Sequence, residues 1–228
     1  MARLIHAILF DLDNTLLNRD ASVEKFADHQ YDRLLQDQDK ISKEHYCKRF
    51  IELDAGGYVW KDKVYQQLAE EFDIQCISWE ALFSDYIEFF HVSCVPFCHL
   101  DSMLRSLSAY SLGIISNGYG AFQLRTIQAL GIEEYFKVIL LSEWEGIKKP
   151  DPKIFLRGLE KLHVLPEESI FVGDHIENDV KAARQAGMKT IWKRNGRNGD
   201  GSADYAIDVL DEIPNLVEKI NGKFKFSM

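Results

Sequence analysis

The spacing of apolar residues along this chain changes twice. The first run, Leu4-Ile5-His6-Ala7-Ile8-Leu9-Phe10, is short and dense, and it breaks off at Asp11-Leu12-Asp13-Asn14. That pattern predicts a buried central strand ending in a polar loop. From about residue 20 to 92 the spacing becomes helical. Val23, Phe26, Gln30/Tyr31 and Leu34 recur every three or four residues. So do Trp60, Val64, Leu68 and Phe72, and then Leu82/Phe83, Tyr86/Ile87 and Phe90. No strand pattern interrupts this stretch. Asp54-Ala55-Gly56-Gly57 divides it as a turn or hinge does. The spacing predicts a four-helix insertion over residues 19–92, between core segments 1–18 and 93–228.

From about residue 99 helices and strands alternate. A helix over 100–109 leads to the strand Leu112-Gly113-Ile114-Ile115, and a helix over 121–130 leads to a strand over 136–141. A helix over 152–162, with Asp151 as N-cap and Pro152 at its first position, leads to Ser169-Ile170-Phe171-Val172. A helix over 177–186 leads to Thr190-Ile191-Trp192. Asn195 to Gly201 is a surface loop by its turn chemistry. A strand over 205–207 and a helix over 211–220 close the core. Such alternation implies parallel crossovers, hence an α/β fold with a doubly wound parallel sheet.

In sheets of this kind ligands bind beyond the carboxyl ends of the strands. Asp11-Leu12-Asp13-Asn14-Thr15, Ser116-Asn117-Gly118 and Gly173-Asp174 stand at those ends, and Lys148-Lys149-Pro150 follows the strand ending at Leu141. Asp11 and Asp13, two apart, project from one face, so both carboxylates can reach one substrate. Alone, the pair is equally a solvated strand terminus or a helix cap. Asp174 and Asp179 add carboxylate, and oxygen ligands without a His/Cys set suit a hard cation, magnesium first. Asp179 also fits an ordinary acid near a helix N-terminus. Lys149, set by the prolines that follow, can hold carboxylates or bind phosphate as a point charge, with Lys148 as the more solvated neighbour. Ser116 and the amides of Asn117 and Gly118 can donate to a phosphate at the entrance of the next helix, although the triplet also fits a simple turn.

Composition narrows the classes. Apolar residues make up 46% and charged residues 28% of 228 residues, which suits a folded chain with room for one α/β domain and an insertion. The net charge of −9 argues against non-specific binding to nucleic acid or an anionic membrane. No apolar run has the length of a membrane span, and Met1-Ala2-Arg3-Leu4-Ile5 lacks a signal-peptide core, so a cytoplasmic location is expected. Cys47, Cys76, Cys94 and Cys98 form no disulfide framework and are read as thiols.

Taken in order, these motifs resemble those of the haloacid dehalogenase (HAD) superfamily. Asp11-Leu12-Asp13-Asn14-Thr15 resembles its first motif and Ile114-Ile115-Ser116-Asn117-Gly118 its second. Lys149-Pro150-Asp151-Pro152 resembles the third, and Val172-Gly173-Asp174 with Asp179 and Ala186-Gly187-Met188 the fourth. The resemblance covers residues 4–18 and about 99–215, and it implies a Rossmann-like core with a helical cap inserted between the first two motifs. It further implies a magnesium-dependent phosphatase. Asp11 would be the nucleophile and would form an aspartyl-phosphate. Asp13 would protonate the leaving oxygen, activate water and lend its carbonyl to the metal. Asp11, Asp13, Asp174 and Asp179 would make the Mg2+ site, while Thr15, Ser116, Asn117, Gly118 and Lys149 would bind the phosphate. The dehalogenases of the superfamily lack an aspartate two residues beyond the nucleophile, so Asp13 favours phosphatase.

The segment from Ser116 to Phe155 resembles the branch holding nucleotide, acylneuraminate and phosphoglycolate phosphatases. The expected partner is a small phosphorylated metabolite, with no nucleic acid or membrane, for a monomer or homodimer. The alternatives are a phosphoryl transferase or mutase, a 2-haloacid dehalogenase, and a non-catalytic binding protein.

Some residues invite other chemistry. His91, Cys94, Cys98 and His99 suggest zinc, but Val95-Pro96-Phe97 between them reads as a packed connector and the cysteines as buried thiols. His175 is set aside as a loop donor. Trp60, Phe83, Tyr86, Phe89 and Phe90 are expected in the core of the insertion. Arg49 and Lys61 are either solvated helix residues or contacts for an anionic substrate.

Overall fold

The structure, a computed structural model, describes residues 3–36, 42–199 and 201–222. Met1, Ala2 and Asp200, which figured in the readings of the N-terminus and the surface loop, lie outside the described residues. The chain divides into two compact units, Met1–Asn18 with Pro96–Met228, and Arg19–Val95.

The first unit is built on six parallel strands: β1 (Ala7–Phe10), β2 (Ser111–Ser116), β3 (Val138–Leu141), β4 (Ser169–Gly173), β5 (Lys189–Lys193) and β6 (Tyr205–Ile207). Their order across the sheet is β3-β2-β1-β4-β5-β6. Each adjacent pair is parallel, with Leu9 opposite Gly113 on one side and Phe171 on the other. All four residues of β1 are buried, as a central parallel strand requires. The strand order reverses at β1, so the crevice beyond its carboxyl end lies between chains that depart in opposite directions.

One sheet face packs Leu9, Ile115, Leu140 and Phe171 against Ile154, Phe155 and Leu159 of a helix over Pro152–Leu162 and against Ala182 and Ala183. Phe155 meets Phe171 edge to face, with ring centroids 4.8 Å apart. Gly158 faces the sheet in that helix because Leu9 occupies the space, and a Cβ there would lie 3.0 Å from Leu9 Cδ2. Asp151 caps the helix by accepting from the Lys153 amide at 2.9 Å, with Pro152 in its first turn.

The second unit is helical: α1 (Arg19–Leu34), α2 (Lys43–Asp54), α3 (Lys61–Glu71) and α4 (Trp79–Phe89). Its end falls after Val95, whose amide is held by Ser22 Oγ at 2.9 Å. Ala55, Gly56 and Gly57 all have positive φ and end α2 in a turn. The unit's core holds Phe26, Tyr46, Phe50, Tyr65, Tyr86 and Phe90 around Gln30. Gln30 Oε1 accepts from both Tyr46 and Tyr65 hydroxyls, and its Nε2 donates to the Leu82 carbonyl and Asp85, so this buried amide is fully used.

Two expectations for this unit need correction. Trp60 and Phe89 are exposed rather than in its core, whereas Tyr86 and Phe90 are buried and Phe83 is half-buried. The buried face of α3 is Lys61, Val64, Tyr65 and Leu68, so Val64 and Leu68 lie on it as the spacing predicts, while Lys61 takes the place expected of Trp60. Lys61 can sit there because it shares the buried Asp54 carboxylate with Arg19, whose guanidinium forks onto it at 2.8 and 2.9 Å. Arg49 is held by Glu71 and Glu52. No helix among the described residues is long and apolar enough to cross a membrane.

Candidate active site

Three strands and one connection deliver the polar residues to the carboxyl edge of the sheet. β1 gives way to a tight turn in which the amides of Thr15, Leu16 and Leu17 all point back to the Leu12 carbonyl. Asn14 makes that turn possible by taking a left-handed conformation (φ 56°), which asparagine tolerates better than most residues. Its carbonyl is held by Asn195 Nδ2 at 2.8 Å. The Asp11 amide donates to the Val172 carbonyl on β4 (2.9 Å), which extends the ladder beyond the last paired residue.

Lys149 is the hub. Its Nζ donates to Asp11 Oδ1 at 2.5 Å and to Asp179 Oδ1 at 2.6 Å. Asp11, Lys149 and Asp179 are 6%, 4% and 1% exposed, so these are desolvated, charge-assisted bonds and not surface pairs. Asn117 fixes where the lysine emerges. Its Oδ1 accepts from the Lys149 amide and its Nδ2 donates to the Lys149 carbonyl, both at 2.9 Å. Lys148 is exposed. The second oxygen of Asp179 accepts from the His175 amide at 2.9 Å. The His175 ring caps the π-helical turn Ile176–Lys181 by accepting from the Glu177 and Asn178 amides.

Asp174, after β4, is pinned from the β5 side. Trp192 Nε1 donates to its carbonyl at 2.9 Å, and Arg197 Nη2 to its Oδ2 at 2.6 Å. Thr15 Oγ1 donates to Asp11 Oδ2 at 3.2 Å. Asp13 Oδ2 and Ser116 Oγ share one donor, Gln123 Nε2, at 2.7 and 2.9 Å. The Gly118 amide is taken by Ser142 Oγ at 3.0 Å.

Oxygens of Asp11, Asp174 and Asp179 lie within 4.8 Å of one another. Among the described residues these three form the cluster able to hold a metal, and no such cluster arises in the segment from His91 to His99. Three carboxylates with no soft ligand fit a hard divalent cation. The electrostatics agree. Burial pushes the Asp11 carboxyl well above its ordinary value of 3.8. Lys149 pulls against that shift, while Asp179, Asp174 and Asp13 push it further. Burial, then Asp179, likewise raises Asp174 against the pull of Arg197. For Lys149, burial acts downward, but Asp11 and Asp179 outweigh it and hold the ammonium above its ordinary range. The site is short of positive charge.

The geometry therefore brings together Asp11, Thr15, Lys149 and Asp179, places Asp174 in the same carboxylate cluster, and joins Asp13 to Ser116 through Gln123. Asn117's side chain holds Lys149's backbone, a role beyond the phosphate contact expected of its amide. Gln123 and Arg197 were missed. Gln123 could have been found as a polar residue on the same helical face as Thr126 and Ile127, three and four positions on. Arg197, in an Asn/Gly-rich loop, carries no such signal.

Gly173 predicts a sharp structural effect. A Cβ there would stand 2.5 Å from Asp179 Cβ, Cγ and Oδ2. Gly173→Ala is expected to push Asp179 off Lys149 and His175 and to cost about 2 kcal/mol in chemical denaturation. An unchanged denaturation midpoint would mean that Asp179 can move without loss.

A family model described as haloacid dehalogenase-like hydrolase matches residues 8–193. The chain is 27% identical over 233 residues to a glyceraldehyde 3-phosphate phosphatase of Pyrococcus furiosus, an alignment covering 98% of this chain and 97% of that protein. A HAD phosphatase structure from Thermococcus onnurineus matches with a TM-score of 0.67 and 30% identity over 93% of this chain and 98% of that one. A 2-haloacid dehalogenase structure from Pseudomonas syringae matches with a TM-score of 0.66 and 26% identity over 95% and 99%.

Proposed function

Because the chain belongs to the haloacid dehalogenase-like hydrolase family, we propose that it hydrolyses a small phosphorylated metabolite through an aspartyl-phosphate on Asp11. The observation that carries this reading is the buried Asp11–Lys149–Asp179 chain beside Asp174 at the reversal point of the sheet. An aspartate held this way is fixed in direction, and an ammonium at its side can meet phosphoryl oxygens as charge develops.

In the first step an Asp11 oxygen bonds to phosphorus while the ester P–O bond breaks. The departing electron pair goes to the alcohol oxygen, which takes a proton from Asp13 and leaves as the free alcohol. In the second step water attacks the same phosphorus, Asp13 takes back a proton, and phosphate departs with Asp11 restored. Thr15 and Ser116, with Lys149, face the phosphoryl oxygens. A magnesium ion held by Asp11, Asp174 and the Asp13 carbonyl would supply the charge that offsets carboxylate–phosphate repulsion. Asp179 acts mainly by holding Lys149. Asp13 favours this chemistry over dehalogenation, since halide departure needs no proton donor.

The relatives' names direct the first assays to triose phosphates and phosphoserine. Cytoplasmic location and a monomeric or homodimeric state complete the proposal. The test is phosphate release from such a panel with magnesium and with chelator. Release that requires magnesium is expected. Halide release from 2-haloacids without metal would replace the reading with dehalogenation, and transfer to a sugar hydroxyl in preference to water would replace it with a transferase.

Metal and protons should compete for the same carboxylates. A carboxyl raised on folding stabilises the folded state below its unfolded value, near 4 for aspartate, and that contribution is lost as pH climbs through the raised value. Asp11 and Asp174 must be ionised to take magnesium. The magnesium-induced rise in Tm is therefore expected to be larger at about pH 7.5 than at about pH 5. An equal rise at both would place the ion elsewhere.

A further inference from the structure

Gln123, in the first turns of the helix Gly120–Ala129, is 3% exposed. Its Nε2 meets three acceptors: Asp13 Oδ2 at 2.7 Å, Ser116 Oγ at 2.9 Å and the Asn117 carbonyl at 3.0 Å. A carboxylate and a carbonyl accept and do not donate, so the nitrogen must face them. Its Oε1 is buried and has no hydrogen-bond partner among the described residues. Burying an amide oxygen that way is unfavourable. A packing role would not need it, since an apolar side chain of the same length would fill the space. Gly118 leaves room for the arrangement, because a Cβ on it would press within 3.2 Å of Gln123 Cγ and Nε2.

We infer that Gln123 is a positioning residue that aims the Asp13 carboxyl at the leaving-group oxygen. This rests on the phosphatase reading and adds a residue to it. Asp13 stands at the start of the tight turn after β1 and is only partly buried, so packing alone leaves its side chain free to rotate. The short bond to Gln123 fixes that rotation from the side of β2. The same nitrogen ties Asp13 to Ser116, so the proton donor and a phosphate ligand share one mount. When the ester bond breaks, the proton that Asp13 gives to the departing oxygen travels along a direction fixed by this bond.

Substrates with different leaving groups isolate that role. A nitrophenolate departs without a proton, whereas an alkoxide needs one. Gln123→Met keeps the volume and removes the donor. With wild-type, Gln123→Met, Asp13→Ala and the double variant, kcat/KM is measured on nitrophenyl phosphate and on glycerol phosphate, with Tm for each protein. Gln123→Met is expected to lower kcat/KM about a hundredfold on the alkyl ester and only about threefold on the aryl ester. Loss of the Ser116 bond affects both esters alike and cancels in the ratio. In the Asp13→Ala background Gln123→Met should cause no further change in that ratio. Equal losses on both esters, or an unchanged ratio in the single variant, would overturn the inference while leaving the phosphatase reading intact. No magnesium-dependent turnover of either ester by the wild-type protein would overturn both.

Discussion

Asp11→Asn should reduce phosphatase turnover about a hundred-thousandfold or more while leaving the protein folded. The amide keeps the shape of the carboxylate but lacks a nucleophilic oxygen anion, and the other carboxylates described at the sheet edge are engaged elsewhere, Asp13 with Gln123. Asp179 is tied to Lys149 and the His175 amide, and Asp174 to Arg197. The variant removes one buried negative charge from a cluster in which burial and three neighbouring carboxylates already disfavour it. Its Tm in the absence of metal should therefore be no lower than wild type, despite the lost ion pair with Lys149. Loss of activity with retained stability is the signature of a group kept for chemistry against its own electrostatics. Steady-state kinetics and a thermal melt on the same preparation check both halves. Activity within tenfold of wild type would remove Asp11 from the nucleophile's role.

Lys149→Met is expected to act in the opposite way, damaging fold and function together. The methionine fills most of the volume but leaves Asp11 and Asp179 facing each other, buried and without their common partner. Breaking a buried ion pair from one side costs about 3 kcal/mol or more, which is roughly 6–12 °C in Tm for a chain of this size. The penalty should shrink in acid. Lys149 pulls the Asp11 carboxyl down, so its removal lets Asp11 rise further and bind a proton at higher pH. The gap between variant and wild type therefore widens as pH increases. Catalysis should fall about a hundredfold or more through loss of charge at the phosphoryl group. Melts across pH separate this account from simple loss of packing, which would give a gap independent of pH.

These expectations draw on features that differ in how visible they are in the sequence. The parallel core was legible because its central strands are short apolar runs that stop abruptly. Phe10 gives way to Asp11, Ile115 to Ser116-Asn117 and Val172 to Gly173-Asp174. Once the strands are parallel, those stops must share an edge, so the site's membership follows from topology. The partnerships within the site do not. Asp179 could be seen near Asp174 in sequence, but its bond to Lys149 depends on how a π-helical turn rolls the side chain inward. Asn117's grip on the Lys149 backbone depends on two connections meeting, which no local pattern encodes. Trp60 misled because aromatic residues usually set helical phase, whereas in α3 the buried face belongs to a lysine neutralised by Asp54.

The central claim is that the phosphoryl group passes through Asp11. Acid quenching during turnover, followed by peptide mapping, tests it most directly. The account predicts a phosphoryl group on the peptide bearing Asp11 in the wild-type protein and none in Asp11→Asn. Steady magnesium-dependent turnover with that peptide never modified, or with the label on another residue, would contradict it.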